Sequence, residues 1–482
     1  MDAKARAAHG TSRPWIGITA FLVAVLLAVV ASMAYNNRAI TIVSRSSQAL
    51  APLLLSIKTR DLTFQRAALA DPRLLPIFGT SELYCCAGGF NGPRFFLHEP
   101  TGFALYAAGV PVTADLFFAE TFAALGHALH GKRVVVSDSA WFTSALGVSP
   151  QAYNHTFSPE VAEVFAFASP IALPLREAIA HQMLAYPRGL VGHPLLRAAL
   201  RDLARGTPAS LAAYYLLDPV GRLAAWVSEL RGDASALAYL RGHPSQAGPV
   251  ADARQAPDWP ALLRRARAVS AALTANNPFG ILKVQWRQCG DIVPAGACAS
   301  ALTLLRRGAT NESGSVYPYP SAWVRQTMTS AEWTDLRLEL EVLRSLGARP
   351  FVYLIPMQGV YDNHTPLSLP ARQVLYQHFA AVVGGQGVPF TTFSRYDGSR
   401  YFVDSFGHFN ARGWVTVDYI LNLFWHGRLG PRLRRQLAAG GIGIPPAAGS
   451  CPRGTGGGVG VGPGTTVCPP RVGGGTVAPA PA

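Results

Sequence analysis

A serine, an aspartate and a histidine stand in that order along the chain, in surroundings that suit nucleophilic chemistry. Ser81 lies in Gly79-Thr80-Ser81-Glu82-Leu83, directly after the apolar run Leu74-Leu75-Pro76-Ile77-Phe78, and Asp404-Ser405-Phe406-Gly407-His408 precedes a strongly helical segment. A serine hydroxyl is a weak nucleophile near neutral pH, so it needs a histidine to take its proton and a carboxylate to fix that histidine's tautomer. On this reading Ser81 attacks an acyl carbonyl, His408 is the base and Asp404 orients it, with backbone N–H groups, that of Ser81 among them, holding the oxyanion. Taken singly, each residue has a structural alternative. A serine after a strand is commonly a helix cap, and a lone histidine is commonly packed or on the surface. Glu82 suits the positive end of a helix, and Arg372 suits either an anionic substrate or a structural ion pair.

The elements that must position these groups follow from periodicity. Leu74–Phe78 and Lys132–Ser137 read as buried strands, the second with the β-branched centre Val134-Val135-Val136. From about 158 to 275 the pattern is helical and rich in Ala, Leu and Arg, an insertion or subdomain. Thr329-Ser330-Ala331-Glu332 has capping-box spacing, and Leu336, Leu340 and Leu343 form one apolar stripe before Gly347 and Pro350. Phe351–Ile355 and Val388–Phe393 are further strand candidates, and Trp414, Val417, Leu421 and Phe424 mark a last buried helical face. Such alternation predicts an α/β fold, a mainly parallel sheet between helix layers with its chemistry at the C-terminal ends of strands.

Several stretches together resemble the DltD family. They are Gly79-Thr80-Ser81-Glu82-Leu83, Trp141-Phe142, Ile355-Pro356-Met357-Gln358-Gly359 with Tyr361-Asp362, and then Leu369-Pro370, Arg372, Tyr376, Phe393-Ser394, Tyr396, Tyr401-Phe402, Asp404, His408 and Gly413-Trp414. The resemblance implies an SGNH-hydrolase-like (flavodoxin-like) domain in the cell envelope, one membrane segment, and serine-based acyl transfer in D-alanylation of teichoic acids with a membrane-bound O-acyltransferase as partner. It also implies that Gly109, in Ala107-Ala108-Gly109, supplies an oxyanion N–H. The family usually separates its Asp and His by two residues, whereas Ser405-Phe406-Gly407 intervene here. Gly407 can absorb the extra residue because glycine reaches backbone angles that others avoid.

Composition bounds the rest. The chain has 482 residues, 49% hydrophobic and only 14% charged. Part of that excess is the uncharged stretch Trp15–Ala34, long enough to cross about 30 Å of hydrocarbon as a helix. Lys4, Arg6 and Arg13 precede it, which places residues 1–14 in the cytoplasm and the remainder outside. Ser32-Met33-Ala34 also permits a cleaved signal peptide, and either reading exports the catalytic region. Residues 35–70 then read as a stalk, 71–436 as the catalytic domain and 437–482, rich in Gly and Pro, as a disordered tail. The net charge of +15 suits phospholipid headgroups or an anionic polymer. No nucleic-acid-binding signature accompanies it. Cys289/Cys298 and Cys451/Cys468 could each close a loop, Cys85-Cys86 are adjacent, and no metal-ligand spacing is present. His127 and His130 read as surface residues.

The function expected is that of an inner-membrane-anchored, extracytoplasmic O-acyltransferase working through an acyl-serine, with no cofactor or metal. Its acceptor would be an envelope polymer or an exopolysaccharide such as cellulose, and its acyl group D-alanyl or acetyl. Two readings stay open beside it, an esterase using water as acceptor and a non-catalytic component of a polysaccharide-synthesis complex.

Overall fold

The computed structural model describes residues 13–83, 87–140, 150–243, 250, 256–273, 324–325, 327–362, 368–399, 401–403 and 407–445. Its named elements run, in chain order, α1 (Arg13–Leu50), α2 (Ser56–Arg60), α3 (Leu62–Ala70), β1 (Leu74–Phe78), α4 (Gly92–His98), β2 (Ala104–Ala108), α5 (Asp115–Leu125) and β3 (Arg133–Ser139). A helical block follows, α6 (Pro150–Thr156), α7 (Pro159–Ala168), α8 (Leu173–Met183), α9 (Pro194–Arg205), α10 (Pro208–Gly242) and α11 (Trp259–Leu273). The chain then returns to alternation with α12 (Glu332–Ser345), β4 (Arg349–Ile355), α13 (Gly359–Asp362), α14 (Leu369–Gly385), β5 (Phe390–Thr391), α15 (Ala411–Trp425) and α16 (Pro431–Ala438).

The five strands form one all-parallel sheet in the order β2-β1-β3-β4-β5. Connections leave β1 toward β2 on one side, and the chain crosses back to β3 on the other. This makes the β1/β3 junction a switch point, the place at the carboxyl ends of the strands where open α/β sheets bind ligands. Alternate side chains divide the core in two. Phe78, Tyr106, Val134, Val136, Val352 and Leu354 face the layer built by α5, α7, α8, α12 and α14. Ile77, Leu105, Val135, Phe351, Tyr353 and Ile355 face α4, α11, α15 and α16.

The α/β architecture, the parallel sheet and the helical block are therefore as the sequence indicates, with two differences of detail. The capping box at Thr329–Glu332 does not form: α12 starts at Glu332 itself, whose N–H is met by Ser330 Oγ at 3.4 Å, and no side chain caps the preceding Ala331. Glu332 is drawn inward instead, only 2% exposed beside Asp335. The second difference is β2, an alanine-rich strand that periodicity passes over.

α1 is one unbroken helix of 38 residues, long and apolar enough over its N-terminal half to cross a membrane. The segment expected as a stalk continues α1 as far as Leu50 and then enters the domain through α2 and α3. Lys58, fully buried on α2, donates from Nζ to the carbonyls of Leu50 (2.7 Å), Ala51 (3.1 Å) and Leu53 (2.6 Å) and lies 4.0 Å above the Tyr106 ring. It satisfies the open carbonyl end of the long helix. Ala107 of β2 donates to Ala51 O at 3.1 Å, which ties the same point to the sheet. The first residues of the expected tail, as far as 445, are also described: Ile442 is buried and its carbonyl accepts from Tyr396 Oη at 2.8 Å. The remaining tail and all six cysteines lie outside the described residues.

Candidate active site

β1 ends at Phe78, and within three residues the chain turns into a 3₁₀ turn, Ser81–Leu83, that starts with Ser81. This turn is held from below by Glu82. Its carboxylate is 1% exposed and accepts from Thr80 N at 2.7 Å (Oε1) and Thr80 Oγ1 at 2.6 Å (Oε2). Glu82 is therefore not a helix-start charge facing solvent. It folds back under Gly79 and Thr80 and fixes the direction in which the next residue, Ser81, presents its hydroxyl.

His408 arrives from the other end of the chain. Val403 and Phe409 form an antiparallel bridge, and His408 stands immediately before Phe409, beside that bridge. Two side chains hold the bridge through one atom, Val403 O, which accepts from Gln358 Nε2 at 2.7 Å and Asn410 Nδ2 at 3.3 Å. Gln358 follows β4, and Asn410 caps the approach to α15 with its own N–H on Phe402 O at 2.9 Å. Gly407, next to the histidine, has φ +76°, a left-handed angle that glycine takes without cost.

The two segments meet with Ser81 Oγ 3.0 Å from His408 Nε2. That separation is within the range for proton transfer between nucleophile and base. Both residues are partly exposed, so the pair opens to solvent. Asp404 lies outside the described residues, as does Trp141.

Gly109 sits immediately beyond β2 and against Gly79. A Cβ at Gly109 would come 1.8 Å from the Gly79 carbonyl oxygen, so only glycine allows the two turns to close together. Its N–H donates to Thr59 Oγ1 at 2.8 Å, a hydroxyl brought in by α2 and 1% exposed. The resemblance points to Gly109 as an oxyanion N–H donor; here that N–H is taken by Thr59 Oγ1, and Thr59 has no signal in the sequence, since its position depends on how α2 packs.

Arg372 is a structural residue behind the turn after β4. Buried on α14, it grips Asp397 with two parallel bonds, Nε to Oδ2 at 2.9 Å and Nη2 to Oδ1 at 2.7 Å. Tyr376 Oη donates to the same Asp397 Oδ2 at 2.6 Å and accepts from Met357 N at 2.9 Å. Of the two roles open to Arg372 in the sequence, the structural ion pair is the one formed. It fixes the turn after β4 that carries Gln358.

Beneath the β3 end lies a group of buried acids. Asp138, in β3, keeps its carboxyl well above the usual carboxylate range through burial, reinforced by Glu332 and Glu82. Burial does the same for Asp115, Asp335 and Glu339, each pushed further by its neighbours. Among the described residues no three of His, Cys, Asp or Glu are placed to hold a metal ion, and His127 and His130 are exposed.

The chain was compared with known proteins. A family model described as DltD protein matches residues 54–426. Protein DltD of Bacillus subtilis (strain 168) is 23% identical over 387 residues, 80% of this chain and 89% of that protein. Protein DltD of Staphylococcus aureus (strain NCTC 8325 / PS 47) is 22% identical over 351 residues, 71% of this chain and 78% of that protein.

Proposed function

Because this chain belongs to the DltD family, we propose that it is a membrane-anchored serine O-acyltransferase of the cell envelope, with its catalytic domain on the extracytoplasmic side. The observation that carries the reading is the 3.0 Å contact between Ser81 Oγ and His408 Nε2 at the carboxyl edge of a parallel sheet.

In the first half-reaction Ser81 Oγ attacks the carbonyl carbon of an activated acyl donor while His408 Nε2 takes the hydroxyl proton. The tetrahedral intermediate collapses, the donor's leaving group departs with that proton, and an acyl-serine ester remains. In the second half an acceptor hydroxyl gives its proton to His408 Nε2 and attacks the ester carbonyl. Ser81 leaves, regains the proton, and the acyl group is now esterified to the acceptor. Asp404 orients the imidazole. The N–H of Ser81 serves the oxyanion; that of Gly109, the second donor expected, is already held by Thr59 Oγ1 at 2.8 Å. The donor side is supplied by a membrane-bound O-acyltransferase. The acyl group is D-alanyl or acetyl and the acceptor an anionic envelope polymer or an exopolysaccharide, to which the net charge of +15 is suited.

The test is ester analysis of every surface and secreted polymer in cells carrying Ser81→Ala at normal protein level. Loss of esters from one polymer is expected and identifies the acceptor. A gain would show an esterase, and no change would show a non-catalytic component.

A further inference from the structure

The longest helix of the insertion, α10, carries a face that a water-exposed domain would not be expected to keep. Tyr215, Leu216, Val220 and Leu223 are 56%, 81%, 58% and 56% exposed, and Ala209, Ala212 and Pro219 extend the same stripe at helical spacing. Arg222 is the one exposed charge from Pro208 to Leu223, and it is paired with Asp218 at 2.7 Å. The lipid-compatible part of α1 is similarly uncovered, with Phe21 67% and Leu26 62% exposed.

α1 fixes where this stripe lies. Trp226 Nε1 of α10 donates to Ser32 Oγ at 3.1 Å, and Asn36 Nδ2 of α1 donates to Asp233 Oδ2 at 3.0 Å. Ser32 stands at the outer end of the uncharged run, and both contacts rise in number together. Going down α10 from Trp226 toward Tyr215 therefore follows α1 back toward its apolar centre. Between the two contacts α10 advances about 10 Å and α1 about 6 Å, so α10 crosses the anchor obliquely. At that slope Leu216 lies about 6 Å deeper than Leu223, the depth range of a helix seated at the headgroup and acyl boundary. Tyr215 and Trp226 are the residue types favoured at that boundary.

We infer that the α10 ridge of Tyr215, Leu216, Val220 and Leu223 is a lipid contact that seats the domain on the bilayer surface beside its own anchor. The inference rests on the reading of α1 as a membrane span. It adds a second point of attachment, which sets the orientation of the domain as well as its distance from the membrane.

The experiment uses full-length protein in nanodiscs of phosphatidylglycerol and phosphatidylcholine, with p-benzoylphenylalanine replacing Leu216, Val220, Val25 or Arg337 in turn, followed by irradiation and intact mass measurement. Lipid adducts at positions 216 and 220, as at 25, and their loss at 337 are expected. Lipid adducts at 25 with none at 216 and 220 would overturn the ridge while leaving the anchor intact. Protein adducts at 216 and 220 would overturn it in favour of a protein interface. Absence of lipid adducts at 25 would overturn the membrane span, and the ridge with it.

Discussion

Replacing Glu82 by leucine tests whether the serine turn is built or merely tolerated. The leucine is close in size but removes both acceptors that Thr80 uses, Oε1 for its N–H and Oε2 for its hydroxyl. Thr80 is 4% exposed, so neither donor can turn to bulk water. Each stranded donor costs about 1–3 kcal/mol, which sets the loss of stability at roughly 2–6 kcal/mol. Glu82→Gln keeps one acceptor oxygen and should lose about half as much. The turn that loses stability is the one that aims Ser81 at His408, and a displacement of about 1 Å between reacting groups costs on the order of a hundredfold in rate. The assay is the rate at which a fluorophosphonate probe labels Ser81 in detergent-solubilised protein, read beside the thermal midpoint. Wild type should label fastest, Glu82→Gln more slowly, and Glu82→Leu about a hundredfold more slowly than wild type. A folded Glu82→Leu protein that labels at the wild-type rate would refute the reasoning. If that variant does not fold, a Glu82→Gln protein with lowered thermal midpoint and undiminished labelling would refute it equally.

Two other outcomes follow from buried charge. Arg372→Met leaves Asp397 without its guanidinium partner in the interior, and urea unfolding should show a loss of about 3–5 kcal/mol; an unchanged midpoint would mean that Tyr376 alone satisfies Asp397. Burial lifts Glu120 to about 8, against the hydrogen bond from Tyr153. The folded state therefore holds a proton that the unfolded chain releases above about pH 4.5, and stability falls as pH rises from there to about 8. Glu120→Gln should remove up to about 5 kcal/mol of that fall, visible as a flatter dependence of thermal midpoint on pH than in wild type.

How far the sequence carries depends on whether a feature is local. β1 and most of β4 are apolar runs and β3 has the core Val134-Val135-Val136, so all three must be buried on both faces and their places are readable from composition. β2 is not, because Ala104, Ala107 and Ala108 have little strand preference of their own. It becomes a strand because each of its residues pairs with one of β1. Ser81 and His408 are legible through the wording around them, and the fold brings them together across 327 positions. The groups that hold them are less so. Glu82 reads as a helix-start charge until its contact with Thr80 is known, Thr59 has no local signal, and Arg372 finds its partner 25 residues away. The region of α10 reads only as helical and rich in Ala, Leu and Arg, because whether a helix face meets core, water or lipid is decided by what packs on its opposite side.

The lysine plug at the end of α1 has a mechanical consequence. Three carbonyls closed by Lys58 and a strand bonded to Ala51 leave no swivel between the long helix and the sheet. The serine is thus carried on a mast instead of a leash. On the proposed function it would not reach out along a polymer; encounters would depend on drift of the whole mast in the plane of the bilayer and on the acceptor chain coming down to a fixed height, so the pattern of modification along that chain would record which of its segments lie close to the membrane.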